Sequence, residues 1–366
     1  MRKRVWYPVL FAGTLVAYLC WWPVPIKAVL WQAPQAPGYS GPHRANHKLV
    51  DIGKISLQGE VGPEHVVIGP DDKLYVSVAS GRILRMSQDG GKQEVFAATG
   101  GRALGLAFDG GGNLIVADAM KGLLSIGADG TLLVLVKAGP GEAVSFPNAV
   151  VVDKSGKIFF TDSSERFTPA QWGTTQAAAL LDVLEQSATG RVLEYDPSTK
   201  SIRVIARGLS LANGIVLSSD ERSVFVSESG KYRIWKIGTN LEQADLAHAP
   251  AGARIFLDNL PGYPDNLTRG AEGRIWLGLA GQRNELDAMS GHPFLRELAL
   301  RIPRFLWTTP KPYGHVFAFS EDGTVVLDMQ DPTSDLATTT GLTETGQRLY
   351  LHSVDSGELA WKAKRE

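Results

Sequence analysis

A repeated pattern of short strands is the feature that most constrains the fold of this 366-residue chain. Six segments each contain a short apolar run, a tight turn that is often rich in Asp and Gly, and a second apolar run. They begin at Glu64, Leu104, Asn148, Asn213, Asp265 and Leu336. A second pair of strand-like runs follows most of them, as in GRVLEYDPSTKSIRVIA from Gly190. Four short antiparallel strands per repeat, with about 50 residues in each repeat, predict the blades of a β-propeller.

The composition agrees with an all-β, six-bladed propeller over residues 49–366. The chain has 40 Gly and 20 Pro, which suit many tight turns, and 44% hydrophobic residues, which are enough for a large core. The formal net charge is −1, so no overall basic field favours nucleic acid as a partner. The sixth repeat has only about three strands. Residues 47–57 are therefore predicted to supply its fourth strand, which would also leave no exposed sheet edge.

The N-terminus combines basic and apolar residues. Residues 2–4 are Arg-Lys-Arg, and residues 5–22 carry no charge and have aromatic residues at both ends. An apolar segment of this length is close to the minimum for a bilayer span, so we predict a single transmembrane anchor within residues 1–31. The preceding positive charges predict a cytoplasmic N-terminus and a propeller on the extracytoplasmic side. A cleaved signal peptide is the alternative, although Trp-Trp-Pro, rather than small residues, follows the apolar segment.

Three further segments lie outside the repeats. Residues 32–48 contain several Pro and Gly residues and are predicted to form an extended linker. Residues 166–189 include QAAALLDVLEQS, which favours a short helix, and residues 281–312 include the amphipathic stretch HPFLRELALRIPRFLW. Both insertions are expected on one rim of the propeller, either as lids or as ordinary surface loops.

Polar residues begin several of the predicted innermost strands. Glu64, Asn148 and Asn213 each begin such a strand, and Asp265 and Asn266 together begin another. Innermost strands line the channel of a propeller, so these five side chains are expected to converge at one mouth. Two carboxylates there would repel each other unless a cation lay between them. Because carboxylate and amide oxygens in irregular geometry suit Ca²⁺ better than Mg²⁺, we predict a calcium site.

Several of these segments resemble one known family. VGPEHV, FPNAVVVDKSGKIFFTDSS, LANGIVLSSDERSVFVSES and GYPDNLTRGAEGRIWLGL are similar, in this order, to the strictosidine synthase-like proteins, a group that includes adipocyte plasma membrane-associated protein. This group is a branch of the six-bladed propeller superfamily that contains gluconolactonases and paraoxonases. The resemblance implies that the five polar residues hold a Ca²⁺ ion, which polarises the carbonyl of a lactone or ester. It also implies a role for Asp265 as a catalytic base or nucleophile.

Two departures from the family narrow the implied activity. Leu104 occupies the position where paraoxonases have a catalytic His, and the nearby Arg102 could bind an anionic substrate, so both are candidates for substrate contact. Strictosidine synthases lack this metal set and use a later Glu, so the retained polar residues argue against that reaction. The chain is therefore predicted to be a membrane-anchored, calcium-dependent hydrolase of lactones or aryl esters. The alternative is a non-catalytic binding or scaffold propeller, with structural calcium and a protein partner.

The other polar candidates have structural interpretations. His65, His315 and His352 lie on predicted strands and are expected to be core histidines, whereas Asp118 and Asp162 end strands, where Asp commonly forms turns. The sequence contains no Gly-rich phosphate loop, no Cys/His zinc spacing and no serine nucleophile elbow. The only cysteine is Cys20, so no disulfide can form within the chain.

Overall fold

Six sheets surround a central channel in the computed structural model, which describes residues 3–139, 141–307, 312–333, 336 and 338–364. In chain order the strands are β1 (Gly53–Ser56), β2 (His65–Ile68), β3 (Leu74–Ser77), β4 (Arg82–Met86), β5 (Glu94–Ala98), β6 (Ala103–Phe108), β7 (Leu114–Asp118), β8 (Gly122–Ile126), β9 (Leu132–Lys137), β10 (Pro147–Val152), β11 (Ile158–Asp162), β12 (Gly190–Asp196), β13 (Ser201–Leu209), β14 (Ala212–Leu217), β15 (Ser223–Glu228), β16 (Arg233–Gly238), β17 (Ala244–Asp245), β18 (Ala253–Leu257), β19 (Gly262–Arg269), β20 (Ile275–Gln282), β21 (Gly314–Phe319), β22 (Val325–Asp331), β23 (Thr339–Glu344), β24 (Arg348–Ser353) and β25 (Glu358–Ala363).

Each sheet is one blade of the predicted six-bladed propeller, which is confirmed. The blades, from the innermost strand outwards, are β2-β3-β4-β5, β6-β7-β8-β9, β10-β11-β12-β13-β17, β14-β15-β16-β18, β19-β20-β21-β22 and β23-β24-β25-β1. The innermost strands contact one another in that order, and β23 returns to β2, so the ring is closed. Apolar clusters fill the spaces between adjacent blades, as where Phe225 of blade four contacts Phe319 of blade five.

The sixth blade is completed by a strand from the other end of the sequence, as predicted. Strand β1 pairs antiparallel with β25, and Ile55 lies opposite Leu359. Both side chains are buried in the same apolar cluster, so this closure is stabilised by packing as well as by backbone hydrogen bonds. The outermost position of the last blade is therefore filled by residues that precede the first blade.

Asp-Gly turns set the hairpins that connect the strands. Between β6 and β7, the carboxylate of Asp109 accepts hydrogen bonds from the backbone N–H groups of Gly111 at 2.9 Å and Asn113 at 2.8 Å. Gly112 has a φ of 81°, which favours glycine because an L side chain is strained there. Such turns are local in sequence, and this is why the repeat could be recognised from the sequence alone.

The helices lie outside the blades. They are α1 (Lys3–Trp21), α2 (Pro169–Trp172), α3 (Thr175–Glu185), α4 (Glu285–Ala288) and α5 (Pro293–Arg301), with single 3₁₀ turns at Gly41–His43, Ser229–Lys231, Leu246–His248, Ala271–Gly273 and Arg304–Leu306. The insertion at residues 166–189 contains α2 and α3. The insertion at residues 281–312 contains α4 and α5, and its residues 308–311 lie outside the described residues.

The predicted transmembrane anchor is not supported. Among the described residues, no helix is both long enough and apolar enough to cross a bilayer. Helix α1 has 19 residues, and the sequence of this helix includes Lys3, Arg4 and Pro8. The predicted topology depended on that span, and it also used Arg2, which lies outside the described residues.

The segment after α1, residues 24–46, lies along the two insertions, and we call it the strap. The backbone N–H of Lys27 donates to the Glu185 carboxylate at 2.8 Å, and that of Val29 donates to the Glu185 backbone carbonyl at 2.8 Å. Further along, the Ala33 N–H donates to Ser290 Oγ at 3.0 Å. The strap therefore contacts both insertions before the chain reaches β1.

Candidate metal centre and active site

Four of the five predicted polar residues lie where the innermost strands depart from regular pairing. The pairing register shifts between Pro147 and Val150 in blade three, Ala212 and Ile215 in blade four, and Pro264 and Leu267 in blade five. An extra residue in a strand redirects the neighbouring side chains. These irregularities contain Asn148, Asn213, Asp265 and Asn266.

One cavity brings four of the five residues together. Glu64, Asn148, Asn213 and Asp265 all line a cavity of about 750 Å³. Their side chains are almost fully buried, with exposed fractions between 5% and 8%. We call the cavity surface formed by these four side chains the polar floor. The fifth residue, Asn266, is also buried, but it does not line the cavity. The repeat positions recognised in the sequence therefore converge at one mouth of the channel.

Close packing between adjacent innermost strands requires a glycine at this level. A Cβ atom on Gly214 would lie 2.4 Å from both the Asp265 carbonyl oxygen and the Leu267 nitrogen. Because these contacts are with backbone atoms, a side chain at residue 214 would push blades four and five apart. The Asn213-Gly214 pair therefore places a polar side chain in the channel and allows the next blade to approach closely.

Two serines orient the asparagine amides. Asn148 Nδ2 donates to Ser163 Oγ at 3.0 Å, and Ser163 Oγ donates to the carbonyl of Ala212 in the next blade at 2.7 Å. Blade four repeats the arrangement, since Asn213 Nδ2 donates to Ser229 Oγ at 3.3 Å. Ser229 Oγ in turn donates to the carbonyl of Pro264 at 2.6 Å.

The opposite ends of these amides have no protein partner. Asn148 Oδ1 and Asn213 Oδ1 are buried and accept no hydrogen bond from any described residue. A buried acceptor without a partner costs roughly 1–3 kcal/mol, so such atoms usually face water, an ion or a ligand. The serines therefore fix both amides with an unpaired oxygen available at the site.

The two carboxylates at the site are held in an unfavourable environment. Burial and the nearby Glu64 carboxylate raise the pKa of Asp265 well above its ordinary value. Burial also raises the pKa of Glu64, although Arg102 and Asn266 act in the opposite direction. A cation between the carboxylates would reverse the electrostatic part of this cost.

Arg102 and Asn266 both contact Glu64. Asn266 Nδ2 donates to Glu64 Oε1 at 3.2 Å, and Arg102 Nη2 lies 3.5 Å from Glu64 Oε2. Arg102 is 8% exposed and does not line the cavity. The sequence predicts that Arg102 contacts substrate. In the structure its guanidinium points instead to the Glu64 carboxylate.

Leu104 lines the cavity, at the blade-two position that corresponds to the polar residues of the other blades. The histidines nearest to this region do not line the cavity. Leu106 N donates to His65 Nδ1 at 3.1 Å, and the rings of His65 and His352 are 5.4 Å apart, edge to face. Burial lowers the pKa of His65 to about 4, so this ring is neutral at pH 7.

The walls and roof of the cavity are mainly apolar. The channel side contributes Leu104, Phe146 and Leu211, whereas α3 contributes Ala179, Leu180 and Val183. The second insertion contributes Leu286, Met289, Ala299, Ile302, Leu306 and Trp307. The insertions thus cover the polar floor, which matches one of the two interpretations left open by the sequence.

The strand-ending aspartates have structural roles, as expected. Asp118 accepts backbone N–H groups from Arg102, Met120 and Lys121 at 2.9–3.0 Å. Asp162 accepts from the Phe146 N–H and pairs with Arg191, both at 2.5 Å. Neither carboxylate lines the cavity, so they stabilise the rim of the channel instead of forming the site.

Ser163 and Ser229 are site residues that the sequence reasoning missed. A recurring signal marks them, because Thr161-Asp162-Ser163 and Ser227-Glu228-Ser229 end the second strands of adjacent blades. In each triplet the first hydroxyl bonds the carbonyl of a polar residue in the next blade, and the second orients an asparagine. Aligning the second strands, in addition to the first, would have identified both residues.

Comparisons with known proteins agree with this architecture. The family described as "Strictosidine synthase" matches residues 148–240, and the family described as "Strictosidine synthase-like, N-terminal" matches residues 41–86. Adipocyte plasma membrane-associated protein of Salmo salar is 32% identical over 337 residues, which cover 84% of this chain and 76% of that protein.

Two solved structures share the fold. A gluconolactonase from Xanthomonas campestris is 20% identical, with a TM-score of 0.60, over 92% of this chain and 99% of that one. The calcium-binding protein regucalcin from Agrobacterium tumefaciens is 14% identical, with a TM-score of 0.57, over 85% of this chain and 93% of that one. At these identities the likeness concerns the fold alone. The similarity to the Salmo salar protein extends over most of both chains, and so this chain belongs to the family of strictosidine synthase-like and adipocyte plasma membrane-associated proteins.

Proposed function

We propose that this protein is a calcium-dependent hydrolase of lactones or aryl esters. The observation that carries the proposal is the pair of buried, unpartnered amide oxygens of Asn148 and Asn213. They share the floor of one cavity with the carboxylates of Glu64 and Asp265. Oxygen donors without nitrogen or sulfur are those that hard cations prefer.

The donor set fits Ca²⁺ in number and flexibility. Ca²⁺ takes about 6–8 oxygen ligands and tolerates irregular geometry. Glu64, Asn148, Asn213 and Asp265 can each supply at least one oxygen, which leaves positions for water or for a substrate. Asn266 has a different role in this proposal, since its amide donates to Glu64 and so positions a ligand. The similarly folded regucalcin is itself described as a calcium-binding protein.

The chain's own residues suit hydrolysis of a carbonyl compound. When bound, Ca²⁺ would supply the positive charge that polarises a carbonyl and stabilises an oxyanion. Asp265 lines the floor of the cavity and can accept a proton at a carboxylate oxygen, which is the role of a general base. Leu104 lines the cavity at the position where the resemblance to paraoxonases implies a catalytic His. Because leucine cannot accept a proton, we expect weak turnover.

The apolar cover favours substrates with a substantial hydrocarbon part. Leu180 of α3, Met289, which follows α4, and Trp307, at the end of the second insertion, all contribute to the roof above the polar floor. A polar head group at the floor and an apolar body against this roof would match the two surfaces. The cover would also exclude bulk water from the reacting carbonyl.

We also propose that the protein associates with a membrane through α1. Leu10, Phe11 and Trp21 are 70%, 70% and 77% exposed, which is unusual for such large apolar side chains. The related Salmo salar protein carries membrane association in its name. Flotation of the full chain with phospholipid vesicles would test this proposal. Co-flotation that is abolished by Leu10→Glu with Phe11→Glu would support it, and recovery of the parent protein away from the vesicles would contradict it.

Hydrolysis of an aryl acetate and a panel of lactones by the purified full chain would test the proposed activity. Turnover should require Ca²⁺, disappear with a chelator and return when Ca²⁺ is restored. Turnover that persists unchanged in the chelator would contradict the proposed chemistry. Stoichiometric Ca²⁺ binding without turnover of any substrate would favour a non-catalytic binding propeller with a structural ion.

A further inference from the structure

Three potential metal ligands meet outside the channel, where the strap crosses blade five. They are His43 in the strap, His315 on β21 and Asp328 on β22. His43 Nδ1 lies 2.8 Å from Asp328 Oδ2, and His315 Nε2 lies 2.7 Å from the same oxygen. One ligand atom from each residue falls within 4.8 Å of the others. A single carboxylate oxygen is therefore the meeting point of two imidazole nitrogens.

The cluster is separated from the candidate calcium site. The channel cavity is lined by none of the three residues. His315 and Phe317 are two residues apart on β21 and therefore point to the same face of the blade. Phe317 packs in the apolar cluster between blades four and five. The three side chains therefore lie between a blade face and the strap, away from the channel.

The carboxylate of Asp328 is oriented by two amides. Asn46 Nδ2 donates to Asp328 Oδ1 at 2.9 Å, and Gln330 Nε2 donates to the same atom at 2.5 Å. Gln330 Nε2 also donates to the His43 backbone carbonyl at 3.1 Å, so it contacts the strap as well. Outer partners that fix a ligand's orientation are typical of metal sites in proteins. Here they occupy Oδ1 and leave Oδ2 facing the two histidines.

The burial of the three side chains is graded. His315 is 1% exposed and Asp328 is 6% exposed, whereas His43 is 12% exposed. The two ligands from blade five are therefore shielded from solvent, and His43 on the strap is the most accessible of the three. Three protein ligands with one open position form a common zinc arrangement.

We propose that His43, His315 and Asp328 bind one Zn²⁺ ion, which fastens the strap to blade five. Two imidazole nitrogens and one carboxylate oxygen suit Zn²⁺, whereas Ca²⁺ prefers oxygen ligands alone. Both histidines direct a nitrogen to Asp328 Oδ2, so the ligand atoms are already gathered. Zinc–ligand distances of about 2.0–2.2 Å require only a small separation of the three atoms.

The site would join parts of the chain that are distant in sequence. His43 and Asp328 are 285 residues apart, so an ion there would close a very long loop. Because it would bind the folded arrangement and not the separated residues, Zn²⁺ should stabilise the folded protein. It should also restrain the strap, which contacts both insertions over the cavity.

Titration calorimetry on the full chain without a polyhistidine tag would test the site. Excess Ca²⁺ would keep the channel site occupied while Zn²⁺ is added. We expect one equivalent of Zn²⁺ to bind, and Co²⁺ in its place should give the intense visible absorption of a four- or five-coordinate ion. His43→Gln should weaken Zn²⁺ binding at least about tenfold, and Asn46→Ala should weaken it by about 10–100-fold.

His248 provides a matched control. Its Nδ1 lies 3.3 Å from Asp245 Oδ2, but His248 is 82% exposed and belongs to no three-residue metal cluster among the described residues. His248→Gln should therefore bind Zn²⁺ as the parent does. His43 lies on the surface strap, so His43→Gln is expected to fold, and its melting temperature in a chelator would check this.

Three results would overturn the proposal. They are the absence of stoichiometric Zn²⁺ binding by the parent, parent-like affinity in folded His43→Gln, and a Co²⁺ spectrum of the hexaaqua ion only. Any of them would assign the three residues to a hydrogen-bonded cluster that holds the strap without metal. A rise in melting temperature with Zn²⁺ in the parent, but not in His43→Gln, would support the site independently.

Discussion

Asn266 joins blade five to blade one by donating its side-chain amide to the carboxylate of Glu64 at 3.2 Å. The same amide donates to the Glu64 backbone carbonyl at 3.1 Å, across 202 residues of sequence. These two hydrogen bonds therefore connect the first and fifth blades across the channel mouth and position the Glu64 carboxylate there. The sequence predicts Asn266 as a direct ligand, and in the calcium site proposed here its amide positions Glu64 instead.

Asn266→Ala should weaken Ca²⁺ binding without abolishing it. Glu64 would lose its orienting donor, and the loss of such a partner typically costs about 10–100-fold in metal affinity. Titration calorimetry with Ca²⁺ would measure the change. Parent-like affinity would show that the hydrogen bond is unimportant to the site, and complete loss would assign Asn266 a direct role as a ligand.

Asp265→Asn should have opposite effects on stability with and without Ca²⁺. Without the ion, the substitution removes one of two buried carboxylates that repel each other, so the melting temperature should rise. With Ca²⁺, the variant loses a charged ligand, so binding should weaken by roughly 100-fold and stabilisation by the ion should shrink. Thermal melts in chelator and in Ca²⁺ would show both effects.

The exposed Asp258 is a suitable control for this substitution, since Asp258→Asn removes the same charge elsewhere. It should leave the response of the melting temperature to Ca²⁺ unchanged. A parent-like response in Asp265→Asn would place the ion at another site.

Leu104→His should raise the rate of ester hydrolysis. The leucine lines the cavity close to the polar floor, so a histidine there could act as a general base, whose contribution is typically about 10²–10⁴-fold. An increase in kcat of at least tenfold on an aryl acetate, with a pH profile that rises near pH 6–7, is expected. Leu180→His, which introduces the same group in the roof on α3, is the control and should show no such profile.

Asp182 should make stability fall as the pH rises. This carboxyl of α3 is fully buried, and burial raises its pKa to about 7, whereas an unfolded Asp titrates near pH 4. Between these values the folded protein binds more protons than the unfolded chain. The free energy of unfolding should therefore decrease from pH 4 to pH 7, by at most roughly 4 kcal/mol from this group.

Asp182→Asn should remove that slope and stabilise the protein at pH 8. Denaturant unfolding at several pH values would measure the effect. Asp182 Oδ2 accepts no hydrogen bond from any described residue, and the amide oxygen of Asn can accept the bond that Ser210 Oγ donates to Oδ1 at 3.4 Å. An unchanged slope in the variant would mean that another group controls the pH dependence.

Arg296→Met should loosen the cover over the cavity. The buried guanidinium of Arg296 donates to the Leu184 carbonyl at 2.9 Å and also to the Val29 carbonyl, so it links α5 to α3 and to the strap. Each hydrogen bond from a charged donor contributes about 1.5–3 kcal/mol. Limited proteolysis should therefore cut the variant faster within residues 166–189 and 281–312.

Arg304→Met is the matched control, because Arg304 lies in the same insertion but is exposed. It should be cut at the parent's rate. Equal protection of Arg296→Met and the parent would show that the cover is held by its apolar contacts alone.

The sequence by itself determined the features that depend on neighbouring residues. Apolar runs separated by Asp-Gly turns predicted the hairpins, because a turn such as that at Asp109 is made by its own carboxylate and an adjacent glycine. The repeats then predicted six blades, with an N-terminal strand completing the sixth blade, and β1 is that strand. It also predicted that Glu64, Asn148, Asn213 and Asp265 share a level of the channel, since equivalent positions in a closed ring must converge.

Only the tertiary structure decided the features that depend on contacts between distant segments. Ser163 and Ser229 determine which amide oxygens remain unpaired, and this choice required the adjacent blade as a hydrogen-bond partner. The meeting of His43 with Asp328 and the burial of Asp182 of α3 against Ser210 likewise involve no local pattern. Burial and charge at these residues depend on packing across the ring, so the local sequence specifies the parts of the site and the closed fold specifies their environment.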